Sequence, residues 1–273
     1  MLYPGLYEQV INNALNRELA EIPEARKSTV PIDTAEAAKV LAQYLTDVVQ
    51  KGLENVQDNG GGIEAQIQLA NQIVTTIQNT TQEADFAALG VDQRAEQLLA
   101  LLQQNDPRLA TGKSAKDLDR PETSIAQSSL FTGAIHEPQM YTELKKEIVS
   151  ADRIDMLVSF IKWSGLRLIM DELRQFAQSG GELRIITTSY MGATDVKAIE
   201  ELRALPNTKI KVSYDTKRTR LHAKTYVFYR DTGFTTAYVG SSNLSNAAIS
   251  SGLEWNVKVT RKDLPETIEK IAA

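Results

Sequence analysis

Six short runs of strand-forming residues between positions 153 and 259 constrain the fold of this chain more than any other feature. Amphipathic helical patterns over 164–181 and 192–205 separate the first three runs, which are RIDMLVSFI (153–161), LRIITTS (183–189) and KIKVSY (209–214). The last three follow one another closely, as AKTYVFY (223–229), TTAYVGS (235–241) and LEWNVKV (253–259). Strands that alternate with helices and then continue as a meander predict an α/β domain, a mixed β-sheet flanked by helices.

The first 105 residues have a different pattern, in which apolar residues recur at helical spacing. Helices are predicted near 5–21 and within 31–56, 60–80 and 94–104, which together indicate an all-α N-terminal domain, a four-helix or similar bundle. No motif in it has catalytic chemistry, so we interpret it as a packing or partner-binding module. The polar stretch 106–128 contains two prolines and is typical of a linker. The predicted domains are therefore 1–105, helical; 106–128, a linker; and 129–273, the α/β domain.

The composition excludes several kinds of site. The chain has 273 residues, two histidines and no cysteine, so disulfides, cysteine-ligated zinc and thiol catalysis are excluded and no histidine-rich metal site is expected. No run of about 18 apolar residues is present, and the N-terminus lacks a basic region followed by an apolar one. We therefore predict a cytoplasmic protein, with no membrane span and no cofactor.

The net charge of −5 is unevenly distributed along the chain. Residues 1–120 contain 10 basic and 17 acidic residues, whereas residues 121–273 contain 20 basic and 18 acidic residues. The second part includes the basic run KRTR, immediately before a strand. Because cations bind phosphates, Lys217, Arg218 and Arg220 are predicted to bind nucleic acid.

Five polar residues form a candidate catalytic site around the last three strands. His222 and Lys224 have the same parity on one strand, so their side chains are expected on one face. Ser241 and Asn243 share a parity at the end of the next strand, and Glu254 lies on the third. An imidazole nitrogen can attack phosphorus, while the lysine and the amide stabilise the phosphate oxygens and the carboxylate orients the ring. The set therefore indicates phosphoryl chemistry.

The sequence HAK…GSSN resembles the His-x-Lys…Gly-Ser-x-Asn signature of the phospholipase D superfamily. The resemblance implies that His222, Lys224, Ser241 and Asn243 cleave a phosphodiester without a metal, through a phosphohistidine intermediate. Glu254 resembles the glutamate of the nuclease branch of that superfamily. The superfamily usually has an aspartate five residues after the lysine, and here this position is occupied by Tyr229, so no aspartate role is assigned.

A single motif leaves the mechanism one histidine short. One histidine attacks the phosphorus and another must protonate the leaving oxygen. The second histidine, His136, lies in a predicted turn without lysine or asparagine companions and is interpreted as a surface or capping residue. A two-fold symmetric dimer places His222 beside its copy. We therefore predict a homodimer in which dimerisation completes the active site.

A longer resemblance covers residues 120–260. Four stretches are similar to the nuclease-like region at the front of certain bacterial superfamily-2 helicases: RPETSIAQSSLFTGA, LVSFIKWSGLRLI, RIITTSYMGATD and TRLHAK. The chain contains no motif of the form GxxxxGKS or GxxxxGKT, so the helicase motor is expected outside it. The resemblance implies the N-terminal part of a helicase-nuclease that acts on DNA.

Two alternatives remain open. The first is a catalytically inactive nucleic-acid-binding and dimerisation module of a helicase. The second is a lipid phosphodiesterase or transphosphatidylase, which is less favoured because no amphipathic basic helix or membrane span is predicted near the site. Trp163 and Trp255 are interpreted as core or interface residues.

Overall fold

The structure, a computed structural model, describes residues 2–134, 136–215, 221–251 and 254–273. The chain forms two compact units, Met1–Leu99 and Ala100–Ala273. The division into 1–105, 106–128 and 129–273 stays a prediction. Among the described residues, no helix combines the length and the apolar character needed to cross a bilayer.

The first unit is helical, as predicted. Its helices are α1 (Asn13–Ala20), α2 (Ala37–Asp58) and α3 (Ile63–Thr81), with 3₁₀ turns at Glu24–Arg26 and Ala84–Leu89. Asn71 on α3 fixes the segment that follows, because its side chain accepts a hydrogen bond from the Val91 N–H (2.7 Å) and donates one to the Val91 carbonyl (3.0 Å). Ile67 is the one buried hydrophobic residue among the described residues of this unit.

The predicted four-helix bundle is wrong in one element, because residues 94–104 form no helix. Their leucines at 98, 99 and 101 are between 61% and 83% exposed. A helix this short is stabilised mainly by packing of its apolar face. These leucines lack such packing in the structure, so helical periodicity alone does not produce a helix here.

The second unit contains the predicted mixed sheet. Its strands are β1 (Ser129–Phe131), β2 (Arg153–Val158), β3 (Glu182–Thr188), β4 (Thr208–Ser213), β5 (Lys224–Tyr229), β6 (Thr236–Gly240) and β7 (Asn256–Thr260). Its helices are α4 (Pro107–Ala110), α5 (Met140–Val149), α6 (Trp163–Leu166), α7 (Met170–Gln178), α8 (Val196–Arg203) and α9 (Pro265–Ala272), with 3₁₀ turns at Ala115–Asp117 and Tyr190–Gly192 and a π-turn at Ala247–Ser251. The strand order is β1-β7-β6-β5-β2-β3-β4; β2, β3 and β4 are parallel and the other pairs are antiparallel.

The two faces of the sheet are covered unequally. On the first face, side chains such as Tyr226 and Phe228 pack against α5, α6, α7 and α8 in the main core. On the second face, Val227 joins a smaller cluster that includes Ile268 of α9. β5 is the middle strand, and its alternate residues enter both cores, as expected for a strand with apolar residues on both faces.

A buried group of charges connects α5 to the sheet on the first face. The Glu147 carboxylate on α5 forms ion pairs with Arg230 (2.6 Å) and with Lys258 (2.9 Å), and accepts a hydrogen bond from the Tyr238 hydroxyl (3.0 Å). Burial raises the pKa of Glu147, but the two cations outweigh burial and hold it below the ordinary value. Paired and hydrogen-bonded in this way, the charges are tolerated inside the core.

Candidate active site

The predicted catalytic residues lie at one edge of the sheet, where β2 and β6 end and β5 and β7 begin. The antiparallel registers place Val158 opposite Lys224 and Gly240 opposite Asn256. The edge therefore brings together segments that are far apart in the sequence.

His222 and Lys224 are in direct contact at this edge. β5 begins at Lys224, so His222 lies two residues before the strand, and its side chain is exposed. The Lys224 Nζ lies 2.9 Å from Nδ1 and 3.1 Å from Nε2 of His222, and donates a hydrogen bond to the His222 carbonyl oxygen (2.9 Å). The ammonium thus lies against the imidazole.

Lys224 is a buried cation without a close counter-charge. Its residue is only 7% exposed, and among the described residues no carboxylate lies within 4.0 Å of its Nζ. Burial lowers the pKa of Lys224, and the carboxylate of Glu254 partly offsets this from a longer distance. A buried cation that lacks a paired anion is costly, so this position is suited to receive a bound anion.

Ser241 and Asn243 both lie in the turn after β6. The Asn243 side chain is buried, and its Oδ1 accepts a hydrogen bond from the Phe160 N–H (3.2 Å). Ser241 is exposed, and its hydroxyl accepts a hydrogen bond from the Trp255 N–H (3.2 Å) and donates one to the Trp255 carbonyl (3.4 Å). The structure thus places both residues at the edge and binds the Ser241 hydroxyl to the backbone of the segment before β7.

Glu254 lies near the site but is not bonded to the imidazole. Among the described residues no hydrogen bond joins Glu254 to His222, and the carboxylate acts on Lys224 and Tyr226 electrostatically. Its role in orienting the ring stays a prediction.

Three buried residues that the sequence did not single out hold the turn in place. The Asn256 side-chain amide donates a hydrogen bond to the Ser242 hydroxyl (2.7 Å), and its Oδ1 accepts one from the Ser242 N–H (3.4 Å). The Tyr226 hydroxyl donates to the Ser242 carbonyl (3.0 Å). A Cβ at Gly240 would clash with the Trp255 carbonyl oxygen, which explains the glycine of the motif. The sequence signal for this arrangement is that Asn256 lies two residues after Glu254 and so has the same parity on the predicted strand.

The segment after β2 connects the two parts of the motif. The Ser159 hydroxyl donates to the Ala223 carbonyl (3.3 Å), between His222 and Lys224, and the next residue, Phe160, donates to Asn243. A polar serine at the end of an otherwise buried strand was the available signal for this contact.

Other predicted residues lie outside the site. Lys217, Arg218 and Arg220 are outside the described residues. His136 is exposed in a turn, as expected.

Tyr229, which replaces the usual aspartate, lies at the opposite end of β5, where the Arg153 guanidinium stacks on its ring at 3.7 Å. Among the described residues, no group of three or more histidine, aspartate or glutamate side chains is arranged to hold a metal ion.

The two tryptophans differ from each other. Trp163 is partly buried against the main core, with the Lys197 ammonium 4.5 Å from its ring centre. Trp255 is 63% exposed, so within this chain it is not a core residue.

Residues 144–273 match the family model described as cardiolipin synthase, PLD-like domain. This part of the chain is similar to phospholipase D-like domains. It includes His222, Lys224, Ser241, Asn243 and Glu254, and the match supports an enzyme of the phospholipase D superfamily. A comparison with curated protein sequences finds no match.

Several solved structures are similar to this domain. NucT from Helicobacter pylori is 24% identical over 54% of this chain and 91% of its own, with a TM-score of 0.42. Nuc from Salmonella typhimurium, a phospholipase D family member, is 23% identical over 54% of this chain and 90% of its own, with a TM-score of 0.40. Yeast tyrosyl-DNA phosphodiesterase is 12% identical over 48% of this chain and 31% of its own, with a TM-score of 0.33.

Proposed function

We propose that the protein is a metal-independent nuclease that cleaves phosphodiester bonds of DNA. The observation that supports this most directly is the buried Lys224 ammonium, in contact with His222 and without a carboxylate within ion-pair distance among the described residues. A phosphodiester supplies the negative charge that the lysine lacks, and binding it at this point places the phosphorus beside the imidazole.

In the proposed reaction, the Nε2 lone pair of a neutral His222 attacks the phosphorus and forms a P–N bond. The P–O bond to one side of the DNA strand breaks, and the departing oxygen takes a proton from a second imidazole that is protonated at the start of the reaction. Water then attacks the phosphohistidine, loses a proton to that second imidazole and breaks the P–N bond, so that His222 is restored. Lys224 and the Asn243 amide stabilise the charge on the phosphate oxygens during both steps.

The second imidazole is proposed to be His222 of another copy of the chain. His136 has an exposed side chain in a turn and lacks a lysine or asparagine companion in the motif. A two-fold axis supplies an identical histidine with its own Lys224. The active form is therefore proposed to be a homodimer, in which each copy contributes half of the site.

Cleavage of plasmid DNA in the presence of EDTA tests this proposal. The wild-type protein is expected to cleave, His222→Ala to be inactive, and His136→Ala, the matched control, to cleave at the wild-type rate. A His222→Ala protein that retains full activity contradicts the proposal. DNA binding that weakens with salt, without cleavage under any ionic condition, would instead indicate an inactive nucleic-acid-binding module.

A link to a helicase motor rests on the four resembling stretches within 120–260 and is part of the same proposal. Addition of a separately expressed motor region from the same source should make cleavage depend on ATP. An unchanged cleavage rate in the presence of a motor that hydrolyses ATP contradicts the link.

The family description favours one other substrate, a phospholipid. The same histidine chemistry would then transfer a phosphatidyl group to an alcohol or to water. Parallel assays on plasmid DNA and on vesicles of phosphatidylglycerol separate the two substrates. A product formed only from vesicles supports the lipid enzyme, and one formed only from DNA supports the nuclease.

A further inference from the structure

Two exposed aromatic side chains lie at the edge of the sheet that bears the candidate site. Tyr214 directly follows the end of β4, and Trp255 directly precedes the start of β7; β4 is parallel to β3 and β2, so it ends at this edge. Tyr214 is 79% exposed and Trp255 is 63% exposed, more than any other aromatic side chain among the described residues of the second unit. Packing in the core therefore does not explain either ring.

Both aromatic residues belong to backbone that is held in place by hydrogen bonds. The Trp255 N–H donates to the Ser241 hydroxyl (3.2 Å), and the Trp255 carbonyl accepts from the Ser241 N–H (3.1 Å). The Ser213 carbonyl, directly before Tyr214, accepts from the N–H (3.0 Å) and the hydroxyl (3.3 Å) of Ser189. Because the backbone is ordered and each ring has only two side-chain torsions, little conformational entropy is lost when a ligand binds to them.

The candidate site lies between the two rings along the edge. In the strand order β7-β6-β5-β2-β3-β4, the strand that begins at Lys224 is two strands from β7 and three strands from β4. Since neighbouring strands are about 4.8 Å apart, Trp255 lies about 10 Å to one side of β5, and Tyr214 about 14 Å to the other side. A ligand that crosses the strand ends from one ring to the other therefore passes the Lys224 ammonium.

Aromatic faces on the two sides of a cation are suited to single-stranded nucleic acid. The ammonium binds a phosphate, and each ring stacks on the face of a base. The bases inside a duplex already stack on one another, so they offer no free face to Trp255 or Tyr214. At about 3.4 Å for each nucleotide of a stacked strand, the roughly 24 Å between the two rings corresponds to about seven nucleotides.

We propose that Trp255 and Tyr214 are stacking platforms that bind unpaired bases on the two sides of the scissile phosphodiester. The inference rests on the proposed function, a nuclease. It goes further by naming the substrate class, single-stranded nucleic acid, and the two residues that select it over duplex. Neither side chain takes part in the proposed reaction, so both act through binding.

Fluorescence anisotropy with the His222→Ala protein tests the proposal without cleavage. The probe is a labelled oligonucleotide of about 15 nucleotides, used as a single strand and as a duplex. Trp255→Ala and Tyr214→Ala, each added to this parent, should weaken single-strand binding about fivefold to hundredfold and leave duplex binding unchanged. Trp255→Phe and Tyr214→Phe retain an aromatic face and should bind like the parent.

Tyr3→Ala is the matched control, because Tyr3 is also exposed (85%) but belongs to the helical first unit. It should bind both probes like the parent. Alanine variants of Trp255 and Tyr214 that bind the single strand like the parent overturn the proposal. Equal losses for the single strand and the duplex also overturn it, because stacking on unpaired bases affects only the first.

Tryptophan fluorescence gives a second readout in which Trp255 is intact. Trp163→Phe, added to the same parent, leaves Trp255 as the only tryptophan of the chain. The single strand should quench its emission at concentrations at which the duplex has no effect. Equal quenching by both probes, or by neither, overturns the proposal. This readout also decides if an alanine variant does not fold, as judged by circular dichroism.

Failure of this inference and failure of the proposed function are distinguishable. A selective loss of single-strand binding supports the stacking platforms even if the wild type does not cleave DNA. Unchanged binding by the alanine variants of a protein that does cleave DNA overturns the platforms alone. A parent protein that binds neither probe overturns both.

Discussion

Asn256 and Ser242 are joined by two hydrogen bonds inside the protein, and this pair fixes the turn that presents Ser241 and Asn243. The Asn256 amide donates to the Ser242 hydroxyl at 2.7 Å and its Oδ1 accepts from the Ser242 N–H at 3.4 Å, with both residues buried. Ser241 and Asn243 flank Ser242. The position of their side chains therefore depends on Asn256, which is not one of the predicted catalytic residues.

Asn256→Ala is therefore expected to lower kcat with little change in KM. A shift of about 1 Å in a catalytic group can cost about a hundredfold in rate. The unpaired Ser242 groups should also lower the free energy of unfolding by about 1–3 kcal/mol. Steady-state kinetics and urea unfolding measure the two effects.

Asn71→Ala is the matched control for this variant. Asn71 also makes two hydrogen bonds to a single residue, Val91, but in the helical first unit. It should lose stability and keep wild-type kcat. An Asn256→Ala protein with wild-type kcat would show that the turn holds its geometry without the pair.

As the pH rises, loss of the proton from Lys224 should increase the stability of the folded protein and lower its activity. Burial lowers its pKa below the ordinary 10.5, so the folded protein binds this proton less tightly than the unfolded chain. Stability should therefore increase as the pH rises towards 10.5, because the unfolded chain still holds a proton that the folded protein has released. Activity should fall over the same range, because the neutral amine no longer stabilises phosphate.

Lys224→Met removes the same buried charge at neutral pH. The variant should be inactive, yet more stable than the wild type in urea. Lys162→Met is the control, since Lys162 lies at the same edge but forms an ion pair with Asp195 at 3.2 Å and is half-exposed. That variant should not gain stability. If Lys224→Met is clearly less stable than the wild type, the lysine is not an uncompensated cation.

Much of this fold could be predicted from the sequence because its α/β part is locally consistent. The strand runs are bounded by glycine or polar residues, and five of the six predicted strands begin within one residue of the observed ones. The sixth, predicted from residue 253, begins at Asn256, because the N–H and carbonyl of Trp255 bind the Ser241 hydroxyl. The short strand β1 was not predicted, since three residues give no usable periodicity.

Contacts at the candidate site could be predicted where the residues are close in the sequence. Contacts between residues that only the fold brings together could not. His222 and Lys224 are two residues apart, so their nearness was predictable, although His222 precedes the strand on which it was predicted. The contact of Ser159 with Ala223 joins residues 64 apart, and the Asn256 pair joins residues 14 apart. Such long-range polar contacts depend on sheet register, which the sequence of one chain does not reveal.

Glu147 should contribute strongly to stability through its buried ion pairs with Arg230 and Lys258. Glu147→Gln leaves the buried Arg230 without its counter-charge and Lys258 with only Glu143, 4.0 Å away, which is expected to cost about 3–5 kcal/mol of unfolding free energy. Because the folded pKa of Glu147 is depressed, its contribution is present above the ordinary value of 4.5 and is lost as the pH falls below it. The variant should therefore show a weaker loss of stability between neutral pH and pH 3 than the wild type.

Glu182→Gln serves as the surface comparison for this prediction. Glu182 pairs with Lys209 at 2.8 Å on the exposed part of the sheet, where an ion pair is worth about 0–1 kcal/mol. Urea unfolding at neutral and acidic pH distinguishes the two variants. Equal losses in both would mean that burial does not make the Glu147 pairs more important.

The basic run before His222 should set the salt dependence of DNA binding. Each cation that contacts a phosphate contributes about 0.9 to the slope of log K against log salt concentration for duplex DNA, and about 0.7 for single strands. Replacing Lys217, Arg218 and Arg220 by alanine in the inactive His222→Ala protein should therefore reduce the slope by about 2–3 if all three bind phosphates. Fluorescence anisotropy over a series of salt concentrations measures the slope.

Replacement of two exposed lysines, Lys113 and Lys116, removes charge elsewhere and should leave the slope unchanged. A triple variant with the wild-type slope would show that the run is a solvated patch and that DNA is held by other cations.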